Sequence, residues 1–149
     1  MGQQQLLLIV LGVIIVGIAV AVGINMFQSS AIDANRNAVV SDLAHLASKA
    51  QQFYKKPATL GGGSQDFNGF ALNTLDQSND NGGFRIGDST FAATPAALPA
   101  VTSANTSVSA AAQTLYIGGY GTETGDDGAT PVHAYVIISG TGFTTYVTN

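Results

Sequence analysis

Cysteine is absent from the 149 residues. That excludes disulfide bonds, thiol nucleophiles and thiolate-held metals. Charge is scarce: 9% of residues are Asp, Glu, Lys or Arg, which is low for a wholly water-exposed surface. The basic residues Arg36, Lys49, Lys55, Lys56 and Arg85 form no patch beyond the Lys55-Lys56 pair, so no nucleic-acid partner is expected. His45 and His133 lie far apart, and neither has a partner at metal-ligand spacing. No Gly-x-Ser-x-Gly elbow, phosphate-binding loop or zinc pattern occurs. The carboxylates fall in loops, not as an inward-facing pair. No catalytic residue and no enzymatic activity are expected. Helix breakers are also missing from a long stretch: no Pro precedes Pro57, and no Gly lies between Gly23 and Gly61.

What is present starts almost at once. Leu6 to Val22 is an unbroken run of apolar residues and glycine, and extending it to Phe27 adds only Asn25 as a polar interruption. A helix of roughly 20 such residues crosses a bilayer core. A cleaved secretory signal would need a basic start and a shorter apolar core. Ala19-Val20-Ala21 approximates a cleavage site, but no Lys or Arg precedes the run. The first flanking charges, Asp33 and Arg36, follow it, so they say little about orientation. The acidic, Lys-poor remainder suits a location outside the cytoplasm.

The run does not end in a turn. Beyond it, Ile32, Val39, Leu43, Leu46, Ala50 and Phe53 recur at steps of seven, four, three, four and three, the stripe of one helical face. One helix is therefore predicted from about Gln3 to Tyr54. It is apolar all round in residues 1–27 and amphipathic in 28–56. Lys55, Lys56 and Pro57 mark its stop. Val39, Leu43, Leu46, Ala50 and Phe53 are expected to pack on the remainder, residues 57–149.

That remainder reads as a β-rich head. Gly61-Gly62-Gly63 marks a loop. Strand candidates are 83–91, 114–120, 132–139 and 143–148, the last two joined as a hairpin around a Gly-containing turn. Phe67 to Leu72 is a further short candidate. The fold class is α+β: a long helix on an antiparallel sheet of three to five strands. Residues 92–113 are low-complexity Ala, Ser, Thr and Pro and read first as an unmodified loop; a glycosylation sequon at Asn105-Thr106-Ser107 offers modification as the alternative. Two acidic loops offer oxygen ligands for calcium: Asp76 and Asp80 in one, Glu123, Asp126 and Asp127 in the other. A solvated turn rich in Asp, Asn and Gly is the first reading of both and calcium the alternative, and no other cofactor is expected.

An apolar helix continuing into an amphipathic half and then a small Gly/Thr-rich β head resembles type IV pilins and pseudopilins. The motif that carries the resemblance is "LLLIVLGVIIVGIAVAVG" behind Gly2. The resemblance implies prepilin-peptidase cleavage after Gly2, leaving Gln3 first, and N-methylation there. Two departures are visible: the leader is only Met1-Gly2, and the family's glutamate five residues into the mature chain is Leu7 here. Gln3, Gln4 and Gln5 supply the polar groups near that end. The resemblance further implies a membrane-held subunit that polymerises through its helix into a surface filament. Leu7, Val10, Val13, Ile14, Gly17, Ala21 and Gly23 would pack against other copies. Small residues four apart, at 17/21 and 19/23, permit close helix approach. The implied partners are other copies of the chain, the inner membrane before assembly, the pilus assembly machinery and the peptidase. Two alternatives stay open: a pseudopilin serving secretion, and a membrane-anchored surface binding protein that never polymerises.

Overall fold

The computed structural model describes residues 2–87, 107–108 and 112–148 of the chain. Helix α1 runs Gly2–Lys55 without a break, a length of about 80 Å at the usual rise. The buried side chains of α1 are Val39, Leu43, Leu46, Ala47 and Ala50. They form the stripe predicted from spacing, with Ala47 filling a place between Leu43 and Ala50. Phe53 is half-buried at its end, and its ring meets Phe70 edge-on at 5.6 Å.

The helix ends because its last carbonyls find partners in a loop that folds back. Gly63 donates its N–H to the Phe53 carbonyl at 2.8 Å, Gln65 to Tyr54 at 2.8 Å and Ser64 to Lys56 at 3.0 Å. This satisfies acceptors that a helix terminus leaves open. A Cβ on Gly63 would lie 1.8 Å from the Asp66 carbonyl oxygen, so no other residue fits there. A single 3₁₀ turn, Ala58–Leu60, sits within the loop.

Five strands follow a short helix α2 (Thr74–Gln77): β1 Ser78–Asn79, β2 Gly82–Gly87, β3 Thr114–Thr124, β4 Pro131–Ser139 and β5 Phe143–Val147. They pair in chain order as an antiparallel meander. One row runs Ile86, Ile117, Val136, Thr145 across the sheet. Phe84, Ile86, Leu115, Ile117, Val132, Ala134, Val136 and Ile138 are buried, and α1 lies chiefly over β3 and β4. The α+β architecture is thus a long helix on a five-stranded sheet.

The segment from Phe67 to Leu72 is not a strand. Phe70 donates to the Phe67 carbonyl at 2.9 Å, closing a turn over Asn68-Gly69, and Gly69 has a left-handed φ of 84°. Only Ala71 forms a bridge, to Ser107. Its apolar residues nevertheless enter the core: Phe67, Phe70 and Leu72 are buried. Strand β3 extends past the predicted Tyr120, with a break in register between Tyr120 and Thr124. The predicted strand 83–91 is β2 as far as Gly87; its last residues lie outside the described part, as do Asn105 and Thr106 of the sequon.

Two measurable consequences follow from this packing. Leu43→Ala should destabilise the head by about 2–5 kcal/mol, read by urea denaturation of the detergent-solubilised chain. Leu8→Ala, on the exposed half, should leave that transition unmoved. Second, Asp66 accepts backbone N–H groups from Ala112 and Asn68, both at 2.8 Å. These bonds, Ala112 first, hold its carboxyl below the ordinary carboxylate value. Its contribution to stability is complete above the unfolded-chain value of about 3.9. It is lost as pH falls through the lower folded value. Asp66→Asn should melt earlier than the wild type at neutral pH, and the two melting temperatures should converge below about pH 4.

Candidate functional site

Among the described residues, the apolar half of α1 has no buried side chain. None of its most apolar 18-residue window, mean hydropathy 3.2, is buried. Leu7, Val13 and Phe27 are 70%, 67% and 80% exposed; Val10 and Ile14, on the same side as Leu7, are exposed too, so the faces carrying Val13 and Phe27 are as open as theirs. The run is long and apolar enough to cross a membrane. Leu6 to Phe27 spans about 33 Å, against a bilayer core of about 30 Å. A Cβ added at Gly12, Gly17 or Gly23 would meet nothing. No contact within the chain therefore requires these glycines, although each weakens a helix interior by about 1 kcal/mol. The residues expected to pack in a filament, Leu7 to Gly23, thus share one uncovered surface. Gly2 and Gln3, the expected processing site, form its first turn.

Where α1 meets the head, a polar clasp takes over from the apolar stripe. Asn35 donates Nδ2 to the Asn81 carbonyl at 2.9 Å and to Thr122 Oγ1 at 3.3 Å. Its Oδ1 receives a longer bond, 3.4 Å, from the Glu123 N–H. One turn pair further on, Asp42 Oδ2 accepts from Asn79 Nδ2 at 2.8 Å and Asn81 Nδ2 at 2.9 Å. The β1–β2 hairpin is thereby tied to the helix at two levels. A Cβ at Gly121 would lie 1.7 Å from Asn35 Oδ1, so the helix side chain reaches the strand only because glycine stands there. Sequence periodicity could not find this clasp, because Asn35, Asp42, Asn79 and Asn81 all read as surface polar residues. Asn35→Ala should increase hydrogen exchange at Thr122 and Glu123 at least severalfold while leaving exchange in β4 unchanged, read by mass spectrometry.

The acidic loops are drawn into local structure. Asp76 forms an ion pair with Lys49 at 2.6 Å. Arg36 bridges Asp33 at 3.0 Å and Asp126 at 2.7 Å. Asp127 accepts from the N–H groups of Ala129 and Thr130, both at 2.9 Å, closing its own turn. Arg36 and Lys49 are 13 residues apart on a straight helix, about 20 Å, so the two loops are separate. Asp80 and Glu123 are exposed. Among the described residues, no group of three or more His, Cys, Asp or Glu side chains could hold a metal ion. The five candidate calcium ligands are therefore not brought together. His45 is exposed on α1. His133 is buried on β4, with Nδ1 2.7 Å from Thr148 Oγ1, and burial lowers its pKa.

With this geometry in view, comparison with models of known families, with curated proteins and with solved structures found no match to the chain.

Proposed function

We propose that this protein is a structural subunit of a type IV pilus-like filament. It is held in the inner membrane by the first half of α1 and then polymerised through that same surface. One observation carries the reading. The head completes its core with the second half of α1, while the first half is apolar on every side and uncovered. A helix of that kind needs lipid or other helices around it. A bundle of identical helices supplies the second environment as a bilayer supplies the first. Glycines whose missing Cβ faces open space among the described residues suit such a bundle, since small residues let helices approach closely. No catalytic residue, cofactor or nucleic acid enters this reading.

Two substitutions separate polymerisation from anchoring. Val13→Asp puts a carboxylate at mid-span, at a cost of about 2.5–3.5 kcal/mol for insertion, and should abolish filaments together with membrane retention. Gly17→Leu keeps the segment apolar, so insertion should persist while filaments recovered from sheared cells fall at least tenfold. The N-terminal peptide of sheared material should begin at Gln3. Filaments undiminished by Gly17→Leu would remove the close-packing argument. A chain found only in membranes would favour an anchored surface protein.

A further inference from the structure

The turn joining β3 to β4 hangs at the level where the apolar run ends. Glu123, Thr124, Gly125 and Gly128 face Phe27, Gln28, Ala31 and Ile32 of α1 across an open notch of about 510 Å³. Phe27 is the last residue of the run and is 80% exposed. Phe27 and Ile32 are separated by only about 7.5 Å along the helix axis. A bilayer's polar layer is about 5–8 Å thick on each side of its core. With Leu6 to Phe27 spanning the core, the turn therefore lies within the headgroup layer, not above it in free solution. Its backbone is fixed there: Gly125 donates to the Thr130 carbonyl at 2.7 Å in one direction, and Asp127 caps Thr130 in the other. The Arg36–Asp126 ion pair ties the turn to α1.

We infer that the β3–β4 turn is a foot that rests on the lipid surface, and that its partner is a zwitterionic, ammonium-bearing headgroup layer. The inference rests on α1 spanning a bilayer, and it does not require polymerisation. The charge of the foot selects the lipid. Asp33, Glu123, Asp126 and Asp127 are its carboxylates, and Arg36 is the one cation among them, already bridging two. Among the described residues, no hydrogen bond or ion pair reaches the Glu123 carboxylate. A lipid ammonium group can occupy it, whereas an anionic headgroup is repelled. Phe27, at the edge of the core, lines the same notch with apolar surface that meets the upper acyl region, and Ile32 lies in the headgroup layer above it. The foot would stop the head from tilting about the helix, so that every subunit waiting in the membrane presents its head at one height.

The absence of cysteine makes the test direct. Single-cysteine variants of the full chain, Ile14→Cys, Leu60→Cys and Ala129→Cys, are labelled with a small fluorophore and reconstituted into vesicles of phosphatidylcholine and phosphatidylethanolamine. A nitroxide is carried either on the headgroup or at the acyl-chain end. Leu60 lies on the far loop and is 66% exposed, so it reports solution. The label at Ala129 should lose at least about twofold in emission with the headgroup nitroxide, and the label at Leu60 should not change. Vesicles made mainly of phosphatidylglycerol should weaken the Ala129 quenching, and Glu123→Gln should restore part of it. Quenching at Ala129 no greater than at Leu60, with Ile14 quenched by the acyl-chain nitroxide, overturns the foot and leaves the span standing. An unquenched Ile14 overturns the span itself. Ala129 quenching that disappears as protein is diluted into lipid overturns the foot in favour of a second copy filling the notch.

Discussion

One unbroken helix has two unlike halves, one packed on the sheet and one apolar and exposed, and the described structure is arranged around that. Between Gly23 and Pro57 there is neither glycine nor proline, so this part of α1 has no built-in kink. Each residue turns the helix by a fixed angle. The burial of Val39, Leu43, Leu46, Ala47 and Ala50 against the sheet therefore also sets which side of the apolar half lies beneath the head. The head cannot be re-aimed without unpacking that stripe or breaking the helix. Its turns are at defined heights and azimuths relative to residues 2–27, and the position of the β3–β4 turn beside Phe27 is one result.

The sheet is shaped to let the helix come close. Gly119 and Gly121 lie on the helix-facing side of β3. A Cβ at Gly119 would stand 2.8 Å from the Phe84 ring and 3.0 Å from Val39, and one at Gly121 would strike Asn35. Removing side chains from two alternate positions lowers the floor under α1 exactly where its apolar stripe gives way to the polar clasp. Packing and hydrogen bonding are thus consecutive along one contact. The stripe supplies most of the burial, and Asn35 and Asp42 fix the register of the β1–β2 hairpin against the helix. Such polar pairs contribute modestly to net stability, about 0.5–1.5 kcal/mol per bond, but a misplaced register would leave their partners unsatisfied.

Much of this was legible in the residues alone, for a physical reason. Helix periodicity and the absence of breakers depend only on local order, so α1 was readable to within a residue at either end. The hairpin of β4 and β5 was readable because β-branched and aromatic runs flank a glycine turn. Phe67 to Leu72 misled because its apolar spacing resembles a strand, while Asn68-Gly69 turns the backbone and only its side chains join the core. The clasp was illegible, since its helix and hairpin side chains meet across 37 or more residues and carry no pattern. The acidic loops show where closeness in sequence says little about closeness in space. Carboxylates close in sequence suggested a shared ligand, yet Lys49, Arg36 and the turn's own N–H groups use most of them separately. For the apolar half, sequence and structure say the same thing, because a surface that buries nothing among the described residues leaves no mark on their fold.

That uncovered surface dominates the energetics of where the protein resides. Burying one Val, Leu or Ile side chain gains about 1.5–3 kcal/mol, and the apolar half carries such residues at nearly every position from Leu6 to Ile18. A few of them outweigh the entire folding stability of a typical small domain, about 5–15 kcal/mol. Leaving one environment is therefore tolerable only when another apolar environment receives the helix at the same moment. A subunit that moved from lipid into solution would meet the full penalty, whereas one handed from lipid to a bundle of like helices would not. In the proposed subunit the head would not supply that driving force; held to α1 by the stripe and the clasp, it would leave the exchange to the helix alone.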